Sequence, residues 1–167
     1  TNVGKKGASM DKTVIFIRHT EAQTIAEESD DKLRILTEKG KIDAKKIARS
    51  IRPILKKDSI TILSSSLIRA METANLIAKK LDSVAIETDW VAGGSMGKLQ
   101  DAILACTTDV LIIVGHEPTL SQWIESFTHA KLPMKKGTAC ALKFGEDVAE
   151  GADLLWYIDK NALPWNE

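Results

Sequence analysis

The chain has 167 residues and equal numbers of basic and acidic side chains, 23 of each, so its formal net charge is zero. This balance excludes a broad basic face for nucleic acid, and the apolar runs are too short to predict a membrane partner. The length is typical of one domain that buries a core without disulfides. Cys106 and Cys140 are too few for a disulfide framework, so we expect two reduced thiols in a cytoplasmic protein.

The folded pattern begins after a polar N-terminal stretch. We expect residues 1–9 to be an expression remnant or a disordered leader, and residues 10–167 to form a single domain. The apolar, β-branched run over residues 13–17 predicts a strand buried on both faces. The polar and acidic residues 22–36 that follow predict a surface excursion.

Strand and helix patterns then alternate along the chain. Short apolar runs predict five further strands, over residues 59–65, 83–88, 109–116, 138–144 and 153–159. Helical spacing of apolar residues predicts four helices, over residues 36–57, 66–81, 96–105 and 118–128. Thr37 and Ser95 are suited to cap two of these helices, and a glycine-rich turn is predicted over residues 92–95. The first helix is expected to face the core with Ile42, Ile47, Ile51 and Leu55.

This alternation predicts an α/β fold with a single domain. A mostly parallel central sheet would be covered by helices on both faces, giving three α/β/α layers. The last two predicted strands lie close in sequence, so we expect them to form an antiparallel hairpin at one edge of the sheet.

Charged and polar residues follow three of the predicted strands. Arg18 and His19 end the first strand, Arg69 lies one turn into the helix after the second, and His116 ends the strand over 109–116. Because ligands bind at the carboxyl ends of strands in such sheets, we expect these side chains to lie close together.

Two arginines and two histidines at one edge suit a phosphoryl group. Arginine offers paired donors to its oxygens, and a neutral histidine nitrogen can attack phosphorus. Taken singly, a histidine after a strand is more often structural, and an arginine on a helix is more often a solvated charge. Their joint appearance at three strand ends favours a phosphate site.

Several motifs together resemble a known family. The stretches IFIRHTEA, LTEKG, SSSLIRAMETA and VGHEPTL are similar to successive motifs of the histidine phosphatase superfamily, which is phosphoglycerate mutase-like. More narrowly, with AGGSMGKLQDAI and KKGTACALKF, they resemble the short, cap-less phosphohistidine phosphatases of the SixA type. The sequence departs from the wider family at Thr20, where glycine usually follows the Arg-His pair.

The resemblance implies a role for each matched residue. His19 would be the nucleophile that becomes phosphorylated, with its other ring nitrogen held as a donor. Arg18 and Arg69 would clamp the phosphoryl oxygens, and a protonated His116 would stabilise charge. Thr20 would narrow the pocket or add a hydroxyl to the phosphate-binding set.

The sequence does not identify the general acid. Glu21 and Glu87 are candidates, with Asp89 nearby, but all three carboxylates are equally compatible with solvated positions. The stretch DWVAGGS is similar to the SixA-type loop, which lacks that acid. A missing acid favours a phosphohistidine substrate, because imidazole needs less help to leave than an alkoxide.

We therefore expect a phosphohistidine phosphatase that acts on a phosphorylated protein and binds phosphate or sulfate. The alternatives are a phosphatase or mutase for a small phosphorylated metabolite, or a non-catalytic phosphate-binding module. No cofactor is expected, and no metal, because the two arginines supply the positive charge that a metal would bring. His129 lies outside the motifs and is expected at the surface. We expect a monomer.

Overall fold

The computed structural model describes residues 11–24 and 30–160. The leader expected over residues 1–9 lies outside the described residues. The six strands of the described part are β1 (Lys12–Arg18), β2 (Ile60–Ser65), β3 (Ala85–Thr88), β4 (Val110–Gly115), β5 (Ala139–Phe144) and β6 (Ala152–Ile158). The α-helices there are α1 (Glu38–Leu55), α2 (Ile68–Lys80), α3 (Trp90–Gly93), α4 (Met96–Ala105) and α5 (Thr119–Thr128). Short 3-10 turns cover Asp31–Leu33 and Val148–Glu150.

All six strands form one sheet in the order β3-β2-β4-β1-β5-β6. Strands β3, β2, β4 and β1 are parallel neighbours, whereas β5 runs antiparallel to both β1 and β6. The predicted α/β fold with a mostly parallel sheet and an antiparallel hairpin at one edge is therefore confirmed.

Strand β1 lies at the centre of the core, as its apolar run predicts. Val14, Ile15, Phe16 and Ile17 are all fully buried. Because side chains alternate across a strand, Ile15 and Ile17 pack with α1 and α2, whereas Val14 and Phe16 pack with α4 and α5. The sheet is thus covered on both faces, and polar chemistry is confined to the strand ends.

The predicted helix caps are confirmed, but one core assignment on α1 is wrong. Thr37 accepts a hydrogen bond from the backbone of Gly40, and Ser95 accepts one from Lys98. Ile42 is 51% exposed, and Ala44 takes the place expected for it in the core. Side chains five residues apart, at 42 and 47, point to different faces of a helix. Side chains three residues apart, at 44 and 47, share one face.

The glycine-rich stretch after β3 is more ordered than the predicted turn. Trp90–Gly93 form the single helical turn α3, and only then does Gly94 adopt a left-handed φ of 73°. The fully buried Val91 explains the difference. Its Cγ1 lies 2.9 Å from the position that a Cβ on Gly115 would occupy, so α3 packs directly on the end of β4.

The two cysteines and the lengths of the helices bear on the expectations from composition. Cys106 and Cys140 are both free thiols, as expected, and burial raises the pKa of Cys140 to about 12. Within the part of the chain that the structure describes, the helices are too short or too polar to cross a bilayer.

Candidate active site

The carboxyl ends of β1 and β4 bring two histidines side by side. The backbone N–H of His19 donates to the carbonyl of Gly115 at 3.1 Å, which continues the ladder between the two strands. His116 follows Gly115, and the ring centroids of the two histidines lie 5.2 Å apart. The sequence prediction that these strand ends meet is confirmed for both histidines.

One nitrogen of His19 is fixed as a donor. Nδ1 lies 2.8 Å from the backbone carbonyl of Thr20, and a carbonyl can only accept. Nδ1 therefore carries the proton of the neutral ring, which leaves the lone pair on Nε2. This is the tautomer that a nucleophile attacking through Nε2 requires.

His19 is neutral in the free protein because it is buried. Burial lowers the pKa of its ring to about 3, against the opposing effect of the hydrogen bond to Thr20. The charges of His116, Arg69 and Arg18 lower the pKa further. A ring in this environment keeps its lone pair across the neutral and mildly acidic range.

His116 is anchored from β2. Its Nε2 lies 2.7 Å from Oγ of Ser65, and that hydroxyl also accepts the backbone N–H of Leu67 at the start of α2. Burial, followed by Arg69 and Arg18, lowers the pKa of His116 to about 4. His116 is therefore neutral in the free site at pH 7. A bound dianion would favour its protonation.

Arg18 is hydrogen-bonded to the loop before β5. Its Nη1 donates to the carbonyl of Met134 at 3.2 Å, in the loop before β5. Burial and Arg69 lower the pKa of Arg18, whereas Glu117 opposes them. Glu117 also accepts from the backbone N–H groups of Ser121 and Met134, so it ties this loop to the start of α5.

Arg69 is buried on α2, with a side chain only 9% exposed. Its Nη1 and Nη2 both donate to Asp31, to the backbone carbonyl at 3.0 Å and to Oδ2 at 3.1 Å. The expectation that a lone helical arginine is usually a solvated charge does not hold here, because Arg69 points inward toward a polar cluster.

Four buried side-chain atoms among the described residues have no hydrogen-bond partner: Arg18 Nε, Arg69 Nε, His116 Nδ1 and Thr138 Oγ1. Three of them belong to the predicted cluster, and Thr138 lies beside Arg18, whose backbone N–H it accepts. Buried polar atoms without partners are rare and costly. Their concentration at one site favours the binding of a polar ligand there.

A family model described as the histidine phosphatase superfamily (branch 1) matches residues 14–105. The chain belongs to the histidine phosphatase superfamily. The match includes Arg18, His19 and Arg69 and ends before His116, which the fold brings to the same place. No match to the sequence was found among curated proteins.

Several solved structures share the fold. The protein histidine phosphatase SixA in complex with tungstate matches with a TM-score of 0.80 at 18% identity, covering 91% of this chain and 99% of its own. A proposed SixA from Nakamurella multipartitia matches with a TM-score of 0.73 at 20% identity, covering 89% and 96%. A phosphoglycerate mutase from Plasmodium falciparum matches with a TM-score of 0.63 at 18% identity, covering 94% and 96%. These likenesses show a shared fold, and superfamily membership supports phosphatase activity.

Thr20, where the superfamily usually has glycine, faces α2. Its side chain is fully buried, and its hydroxyl lies 3.3 Å from the hydroxyl of Thr73. Thr73 donates to the carbonyl of Arg69 and accepts the backbone N–H of Thr20, so it is left to accept from the Thr20 hydroxyl. With its proton used in this way, Thr20 links β1 to α2 rather than offering a donor to phosphate.

The candidate general acids lie in different surroundings. Glu21 accepts a hydrogen bond from the Thr37 hydroxyl at 2.7 Å, at the N-terminus of α1. Glu87 and Asp89 are exposed, at the end of β3 and just before α3. The contacts among the described residues therefore give Glu21 a structural partner.

No metal centre is evident where the structure is described. Residues 11–24 and 30–160 contain no group of three or more His, Cys, Asp or Glu side chains that could hold a metal ion. His129, expected at the surface, is exposed at the C-terminal cap of α5 with a left-handed φ of 62°.

Two supporting residues were missed by sequence reasoning. The sequence prediction places Asp31 in the surface excursion, and it includes Glu117 only within the VGHEPTL motif. A partial signal existed for Asp31, because its spacing from Arg34 suits an ion pair within one turn, which the structure contains at 3.1 Å. Its contact with Arg69 is 38 positions away in sequence and leaves no local pattern.

In an NMR titration of the free protein, we expect the ring-proton signals of His19 and His116 to have midpoints below about pH 5. These midpoints lie below the ordinary pKa of histidine. Burial lowers both pKa values, to about 3 and about 4. The unfolded chain would then bind more protons than the folded one below about pH 6.5, so stability should fall as the pH drops through that window.

His19→Ala and His116→Ala assign the two signals in that titration, and the exposed His129 supplies a third histidine for comparison. Added phosphate should move the His116 midpoint upward, because a dianion stabilises the charged ring. A midpoint near 6.5 for both site histidines in the free protein would contradict the burial argument.

Proposed function

We propose that this chain hydrolyses phosphohistidine in proteins, by way of a phosphorylated His19. The observation that carries the proposal is the group of buried, unpartnered nitrogens, Arg18 Nε, Arg69 Nε and His116 Nδ1, beside a histidine held in the nucleophilic tautomer. Three electron-rich phosphoryl oxygens are suited to these nitrogens.

In the first step, the lone pair on His19 Nε2 attacks phosphorus. The bond between phosphorus and the imidazole nitrogen of the substrate breaks, and the departing imidazole takes up a proton from solvent. In the second step, water attacks the phosphorylated His19, which releases inorganic phosphate and restores the neutral ring. The two arginines neutralise the charge of the transferring group throughout, which is the main electrostatic demand of phosphoryl transfer.

The environment of His116 suits a role that changes with the ligand. Its ring is neutral when the site is free, is hydrogen-bonded to Ser65, and has a pKa that burial and the charges of Arg69 and Arg18 lower. A phosphoryl group brings negative charge beside it, so the ring takes up a proton and becomes a cationic donor. His116 thus has the expected role of stabilising charge on the transferring group when the ligand is bound.

A protein substrate is favoured by the leaving group. Glu21 accepts a hydrogen bond from Thr37, and Glu87 is exposed on β3. Neither of these two carboxyl groups has a described contact with the rings of His19 and His116. An imidazole leaves with less help from an acid than an alkoxide does. The proposal includes a cytoplasmic location, for which the two free thiols are the support.

The test is the ratio of kcat/KM for a phosphohistidine peptide to kcat/KM for a sugar phosphate. We expect a ratio well above one in the wild type, because an ester leaving group needs a general acid more than an imidazole does and Glu21 is engaged with Thr37. Glu21→Gln and the exposed control Glu87→Gln should leave phosphohistidine hydrolysis within about twofold of the wild type.

Three results would contradict parts of this proposal. A ratio well below one would reject the protein substrate and identify a phosphatase for a small metabolite, the activity class of the mutase-like members. A large loss in Glu21→Gln that is confined to esters would identify Glu21 as a general acid. Binding of phosphate without turnover of either substrate would favour the non-catalytic module.

A further inference from the structure

Asp31 holds both terminal nitrogens of Arg69. Nη1 donates to its backbone carbonyl at 3.0 Å, and Nη2 donates to its Oδ2 at 3.1 Å. The side chain of Arg69 is 9% exposed and that of Asp31 is 63% exposed, so Asp31 approaches from the solvent side. One residue therefore occupies the end of the guanidinium that carries the two terminal nitrogens.

The other edge of this guanidinium is free. Nε of Arg69 is buried and has no partner. A guanidinium can grip two oxygens either through its two terminal nitrogens or through Nε and one terminal nitrogen. Asp31 accepts one hydrogen bond from each terminal nitrogen. The edge of the guanidinium that contains Nε is therefore the one left to bind a phosphoryl group.

Asp31 is itself held in place. Its Oδ1 accepts from Arg34 Nη1 at 3.1 Å, and Arg34 Nε donates to the carbonyl of Gln23 at 2.6 Å. The neighbouring Asp30 accepts the backbone N–H of Lys32 and so caps the 3-10 turn that carries Asp31. A continuous set of hydrogen bonds thus joins the chain after β1 to Arg69 on α2.

We propose that Asp31 is a positioning residue that orients Arg69, so that the Nε edge of the guanidinium meets the transferring phosphoryl group. This inference rests on the proposed function and names a residue that acts on the reaction without touching the substrate. A carboxylate that merely competed with phosphate would occupy the donors used for binding. Here Nε remains without a partner, which favours positioning over competition.

The test compares two variants that remove the same charge from the same turn. Asp31→Asn leaves one acceptor oxygen to serve two arginines, whereas Asp30→Asn keeps the capping oxygen and does not touch Arg69. For the phosphohistidine peptide, we expect Asp31→Asn to lower kcat by about 3- to 10-fold with KM within about twofold, since small displacements near the reacting group slow chemistry. Asp30→Asn should stay within about twofold of the wild type in both.

Two further measurements separate positioning from a general loss of structure. Vanadate mimics the five-coordinate phosphorus of the transition state, so Asp31→Asn should weaken vanadate inhibition more than it weakens inhibition by inorganic phosphate. In an Arg69→Ala background, Asp31→Asn should have no further effect on kcat, because its target is gone. Asp31→Ala removes both carboxylate oxygens and should give at least the loss seen in Asp31→Asn.

Several outcomes would overturn the inference. Equal losses in Asp31→Asn and Asp30→Asn would indicate an effect of charge alone, and additive losses with Arg69→Ala would place the action of Asp31 elsewhere. Tighter binding of both phosphate and vanadate in Asp31→Asn would identify a competitor. A wild-type protein that neither turns over substrate nor binds phosphate would reject the proposed function, whereas an active wild type with an unaffected Asp31→Ala would reject this inference alone.

Discussion

Replacing His19 by alanine should reduce phosphohistidine hydrolysis by about 10⁴-fold or more, the scale on which hydrolases lose activity without their nucleophile. The proposed reaction requires a lone pair on His19 Nε2. That nitrogen carries it because Nδ1 donates its proton in a hydrogen bond to the carbonyl of Thr20. Burial lowers the pKa of His19 to about 3, so nearly every molecule is ready to attack at pH 7.

The same variant should lose the covalent intermediate. After a short reaction with a labelled phosphohistidine peptide, the wild-type protein should carry phosphate that is stable to base and labile to acid, and mass spectrometry should place it on His19. His19→Ala should carry none. Circular dichroism and a melting curve should accompany the assay, because His19 is only 4% exposed and the loss of its side chain leaves a small cavity.

His129→Asn is the matched control for that experiment. His129 is an exposed histidine at the end of α5 with a left-handed φ of 62°, a conformation that asparagine tolerates. It should retain full activity and full labelling. Label of equal amount in folded His19→Ala would show that the nucleophile is a different residue.

Replacing Arg69 by alanine should weaken the binding of vanadate and phosphate by about 1–3 kcal/mol, the cost of a lost hydrogen bond to a charged group. The expected loss in kcat is larger, on the order of 10²- to 10³-fold, because the arginine also stabilises charge in the transition state. The physical basis is a buried guanidinium with a free Nε, whose charge also acts on the pKa of both histidines.

Two variants make the Arg69 result specific. Arg69→Lys keeps the charge but offers a single point of contact, so it should recover only a small part of the lost affinity. Arg52→Ala removes the same charge from an exposed ion pair with Asp82 and should leave inhibition unchanged. Vanadate inhibition of Arg69→Ala that equals that of the wild type would place the anion site elsewhere.

The local features of this protein are those that its sequence determines. The run over residues 13–17 is a buried strand because consecutive apolar, β-branched residues suit a strand covered on both faces. Thr37 and Ser95 begin helices because a short hydroxyl side chain reaches the free N–H groups of the next turn. The predicted cluster also follows from sequence, since parallel strands end at a common edge.

The tertiary structure alone decides how each side chain in that cluster is held and charged. Asp31 accepts a hydrogen bond from Arg69, 38 positions away in sequence. Ser65 is hydrogen-bonded to His116, 51 positions away, and Thr73 accepts a hydrogen bond from Thr20, 53 positions away. No pattern of neighbouring residues encodes these contacts, because each depends on how a loop or helix packs against a strand end. The neutral state of His116 has the same origin: a pKa near 4 comes from burial beside two arginines, and burial is a property of the packed fold rather than of the residue.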